Sequence, residues 1–118
     1  MSSEGWNSEV VRTWLDSRVQ AARLEQVVAD KRGYSAQDEY DKAAAEEWVC
    51  QTLKKGDAVE DQARFAARLK ELLAEEEYGL TGVYDDRRSD RHVRANLRKL
   101  VKMTKANEGF ANTLRYQD

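Results

Sequence analysis

Residues 87–105 read RRSDRHVRANLRKLVKMTK, and the phase of this stretch decides the fold. At 100° per residue, Val93, Leu97, Leu100 and Thr104 fall on one side of a helix, with Val101 at the edge. Arg91, Arg94, Arg98, Lys102 and Lys105 fall together on another side. Such a segment is a helix docked by its apolar stripe and presenting a continuous cationic stripe to solvent. Its predicted span is Ser89–Asn107, with Ser89 or Asp90 capping the first free amides. His92 is one more member of this basic helix, and Asn96, near its apolar side, is poorly placed to read a base.

Working outward, residues 79–88 contain two glycines and switch from acid to base at Asp86-Arg87. They read as a connecting loop with a short extended piece at Leu80–Tyr84. Residues 108–118 carry too little pattern for an element and are left as a tail. Upstream, Asp57-Ala58-Val59-Glu60 has the form of a capping box and opens a predicted helix over 57–78. Phe65, Leu69, Leu72 and Leu73 supply its core face. Glu75-Glu76-Glu77 closes it against the helix dipole, a local inconsistency that a basic surface would relieve.

The helix predicted over 35–55 starts at Ser35, with Asp38 three residues on, and stops at Lys54-Lys55-Gly56. Its apolar residues spread around the wheel, and many are alanine, which permits close approach of a neighbour. Tyr40, Ala44 and Trp48 form the expected contact ridge. The first helix, predicted over 7–32, begins at Asn7 or Ser8 and ends at Lys31-Arg32-Gly33. Val10, Val11, Trp14, Leu15, Val19, Ala22, Leu24, Val27 and Val28 are expected to form a broad buried face. The expected fold is therefore all-α, a compact bundle of about four helices with short loops, forming a single domain over 1–118.

Composition agrees. The chain has no proline and six glycines in 118 residues, and its commonest residues are good helix formers. Leu, Val, Ile and Phe make up 22 of the 118 residues, a thin core that three Trp and five Tyr help and that a second copy or a partner would complete. The net charge is only −2, but it is unevenly spread. Residues 1–86 hold 11 basic and 19 acidic side chains, whereas residues 87–118 hold 9 and 3. The basic end therefore implies an acidic partner, or packing beside the acidic helices of this fold. One cysteine, no apolar run of spanning length and no signal-peptide character at the N-terminus suit a cytoplasmic protein.

The motifs of catalysis are missing. One His and one Cys cannot build a zinc site within the chain. A Cys50–His92 nucleophilic pair is the one arrangement left open, and the acids preceding Cys50 disfavour its thiolate. Glu46, Glu47, Asp57, Glu60 and Asp61 include no Glu-x-x-His unit. The chain has no phosphate-cradling glycine loop, nucleophile elbow or dinucleotide fingerprint. No cofactor or metal is expected, and the expectation is a protein that is not an enzyme.

Gly5-Trp6-Asn7, followed by Thr13-Trp14-Leu15, resembles the opening of a family of small uncharacterised proteins of phages, plasmids and prokaryotic genomes. Ala67-Arg68-Leu69-Lys70-Glu71-Leu72 is similar to a later helix of that family. The resemblance implies an accessory gene of a mobile element, where small acidic helical proteins bind and block a host or defence component, as anti-CRISPR proteins do. The expected site is Arg87, Arg88, Arg91, Arg94, Arg98, Lys102 and Lys105, engaging an acidic protein surface. A small nucleic-acid-binding regulator using the same helix is the alternative, and a self-associating structural protein is the second. Overall acidity, with a pI near 5.5, favours the protein partner over phosphate. No membrane role is expected.

Overall fold

The computed structural model describes residues 6–78 and 90–105, without the side chains of 76–78, 90 and 105. The expected loop at 79–88, the tail at 108–118, Arg87, Arg88, the caps at Ser89 and Asp90, and the side chains of Glu76, Glu77 and Lys105 lie outside that description. Four α-helices are present: α1 Ser8–Arg32, α2 Gln37–Lys54, α3 Gln62–Tyr78 and α4 Asp90–Lys105. Two short 3₁₀ turns, Gly33–Ala36 and Ala58–Glu60, link the first three. The all-helical bundle read from the sequence is the fold, and no strand occurs among the described residues.

Local chemistry sets most of the helix ends. Asn7 caps α1, its Oδ1 accepting from the amides of Glu9 at 3.0 Å and Val10 at 3.2 Å. Gly33 ends it at φ 78°, a left-handed conformation that glycine adopts without steric cost. Two expected caps are replaced. The Ser35 hydroxyl does not cap α2 but donates back to the Arg32 carbonyl at 3.4 Å, and the helix starts two residues later at Gln37. The Asp57 side chain makes no cap hydrogen bond; a 3₁₀ turn follows it, and Asp61 caps α3 by accepting from the Arg64 amide at 2.9 Å. Both aspartates have the right side chain, and the 3₁₀ turn brings Asp61 into register with the free amides.

α1 and α2 form an antiparallel hairpin, as the cross-pairs Lys54–Asp16 and Arg23–Glu47 show. α4 runs parallel to α2, and α3 lies antiparallel beside α4, with Gln62 Nε2 donating to the Thr104 carbonyl at 2.8 Å. α2 is therefore flanked on two sides, which explains its diffuse apolar pattern. Ala43, Ala44 and Ala45 are all buried and let both neighbours approach. Tyr40 and Trp48 of the expected ridge are only half-buried.

One end of the bundle is closed by aromatic packing. At the closed end Trp6 Nε1 donates to the Val59 carbonyl at 3.1 Å, and its ring meets Phe65 at 5.3 Å between centroids. Val11, Leu15, Leu53, Val59, Phe65, Leu69, Leu72, Leu97 and Leu100 make the core there. α1 lies alongside α2 and comes alongside neither α3 nor α4 among the described residues. The broad buried face expected for α1 is corrected accordingly: Val10, Leu24, Val27 and Val28 are exposed. Leu24 follows Ala22 by two residues, about 200° round the helix, so the two cannot share a face.

Candidate functional site

α4 docks by the stripe its sequence specifies. Val93, Leu97, Leu100 and Thr104 are buried, and Val101 is half-buried at the edge. The Thr104 hydroxyl donates to the Leu100 carbonyl at 2.7 Å, so its burial leaves no unmade hydrogen bond. The burial of this stripe determines where the cations go. Arg98 and Lys102 are exposed on the opposite flank, and Lys99 is exposed beside them. Arg94 is half-buried.

Arg91 is exposed but engaged: its guanidinium lies 2.8 Å from Asp38 Oδ1 on α2, and His92 Nε2 lies 2.9 Å from the same oxygen. The first turn of the basic helix is thus partly neutralised by its own fold. The Asp38 carboxyl is held below the ordinary carboxylate range, chiefly by the hydrogen bond from His92, with the charges of His92 and Arg91 adding to it. The expected cationic face divides in two. Arg91 ties α4 to α2, and Arg98 and Lys102 are exposed.

Beside α4 runs an open groove of about 630 Å³. α2 forms its floor, and α1 and α4 form its walls. Leu24, Val28, Ala29, Ala43 and Ala95 give it apolar surface. Arg18 and Glu46 cross it as a bidentate pair, Nη2–Oε1 2.8 Å and Nε–Oε2 3.1 Å. That hydrogen bond raises the Arg18 pKa above its ordinary value against the opposing effect of burial. Periodicity alone misses Lys99, Asn96 and His92 on the groove wall, because they lie between the apolar and cationic stripes of α4. The signal that could have found the α1 wall is the phase break at Leu24.

Cys50 is buried, and its thiol is pushed up to about 12, first by desolvation and then by Glu46. Asp38 and Cys50 stand twelve residues apart on α2, about 18 Å at 1.5 Å per residue. His92, held at Asp38, is therefore out of reach of that sulfur, and the Cys50–His92 pair is not assembled. Among the described residues no cluster of three or more His, Cys, Asp or Glu side chains could hold a metal. No described helix is long and apolar enough to cross a membrane. The chain matches no protein-family model, no curated protein and no solved structure.

Proposed function

We propose that this chain is a binding protein rather than an enzyme, and that the exposed cationic flank of α4 engages an acidic surface on a protein partner. One observation carries the reading: α4 buries Val93, Leu97, Leu100 and Thr104 while Arg98 and Lys102 stay exposed on the opposite flank. Arg87, Arg88 and Lys105 extend the same charge along the sequence. Arginine suits this role because its planar fork pairs with carboxylates at two points. Arg91, tied to Asp38, lies at the start of the same helix.

The mobile-element setting belongs to the same proposal and rests on the N-terminal resemblance. In that setting the protein acts in the cytoplasm by occupying a host or defence component, in the manner of an anti-CRISPR protein. A nucleic-acid regulator would use the same flank, but the acidic remainder of the molecule opposes phosphate everywhere else.

The test is affinity capture from bacterial lysate with and without nuclease, comparing the wild type with Arg98→Glu/Lys102→Glu. The expected result is a protein that survives nuclease, elutes with salt and is lost in the variant. Recovery of nucleic acid alone would transfer the flank to the phosphate-binding reading. Identical capture by both forms would remove α4 as the binding surface.

A further inference from the structure

We propose that the exposed turn of α1 around Val28 is covered by a second copy of this chain, docked α1 against α1 in an antiparallel, two-fold arrangement centred on Val28. The inference starts from a patch that the fold leaves unexplained. Leu24 and Val28 are 66% and 50% exposed one turn apart, on a helix whose first half buries Val11, Leu15 and Val19. Contiguous exposed apolar side chains at the mouth of a groove mark a surface built to be covered.

The charges around the patch identify what covers it. Glu25 and Arg32 are exposed, lie on the same side of α1 as Val28, and make no ion pair within the chain among the described residues. They are seven residues apart, about 10 Å along the axis, too far to pair with each other. A two-fold contact must present the same surface from both sides, so that each residue meets the position equidistant from the axis on the other copy. Centring the axis on Val28 sets Leu24 level with Arg32 of the second copy and Glu25 level with its Lys31, one residue from that Arg32 and on the Arg32 side of the helix. Symmetry repeats both contacts. The patch is therefore its own complement: an apolar centre with an acid on one side and a base on the other. A net charge of −2 opposes such self-association only weakly. This surface is separate from the cationic flank of α4.

The test is sedimentation velocity over a concentration series. The wild type is expected to dimerise. Val28→Glu, Glu25→Arg and Arg32→Glu are each expected to weaken the dimer about tenfold or more, since every change acts twice in the pair. Circular dichroism should remain unchanged, because all three side chains are exposed. Glu25→Arg/Arg32→Glu in one chain exchanges the charges and should restore dimerisation. An equimolar mixture of the two single variants should form a heterodimer. A wild type that stays monomeric throughout overturns the proposal, as does a dimer indifferent to these changes. A dimer lost only in Arg98→Glu/Lys102→Glu would place the contact on α4 and overturn it equally.

Discussion

Asp38 on α2 and His92 on α4 share a short contact, His92 Nε2 lying 2.9 Å from Asp38 Oδ1, with Arg91 on the same oxygen at 2.8 Å. An ionised carboxylate only accepts, so in this contact Nε2 carries the proton. The relationship joins the first turn of α2 to the first turn of α4, helices well separated in sequence. It also gives Asp38 an interaction that competes with the capping role suggested by its spacing from Ser35.

The contact should appear in the acid limb of stability. Unfolded Asp38 takes up its proton at higher pH than folded Asp38, because His92 and Arg91 hold the folded carboxyl down. The stabilisation is complete above the ordinary carboxylate pKa and is lost as pH falls through the lower folded value. Melting temperatures measured from about pH 5 down to about pH 2 should therefore fall more steeply in the wild type than in Asp38→Asn. Parallel profiles would show that the contact contributes nothing.

The two stripes of α4 should separate by stability. Leu97 is fully buried, and Leu97→Ala is expected to cost about 2–5 kcal/mol in urea unfolding. Lys102 is exposed, and Lys102→Ala should stay within about 0.5 kcal/mol. A large loss at Lys102 would mean that the cationic flank helps to hold the fold and is not reserved for a partner.

Arg18 and Glu46 should behave as a coupled pair. Their side chains are 30% and 15% exposed and share two hydrogen bonds. Glu46→Gln should cost about 1–3 kcal/mol, because it leaves a partly desolvated guanidinium short of its counter-charge. Adding Arg18→Met should cost less than the two changes summed, with a coupling of about 0.5–3 kcal/mol from a double-mutant cycle. Strict additivity would reduce the pair to a surface contact.

Cys50 should be inert in the folded protein. A shift from 9.0 to about 12 makes its thiolate roughly a thousandfold scarcer, and burial blocks access besides. A disulfide reagent at neutral pH should label it only after denaturant is added. Rapid labelling of the native protein would reopen the question of thiol chemistry.

The sequence by itself determined the elements and one docking face. Helix period placed Val93, Leu97, Leu100 and Thr104 on a single side of α4, and all four are buried. Asn7 and Gly33 mark the two ends of α1 because capping depends on side chains and backbone angles within a few residues. The choice of Asp61 over Asp57 as cap was not legible, since both carry a competent carboxylate and the intervening 3₁₀ turn decides between them. Tertiary structure alone decided the candidate surfaces. It set Asp38 against Arg91 and His92, left Arg94 half-buried, and placed α1 and α4 about α2 so that Leu24 and Val28 line a groove. Periodicity records which side of a helix is apolar, but whether that side meets a neighbour or solvent depends on where the other helices lie. That placement is a long-range outcome of packing, which no local pattern encodes.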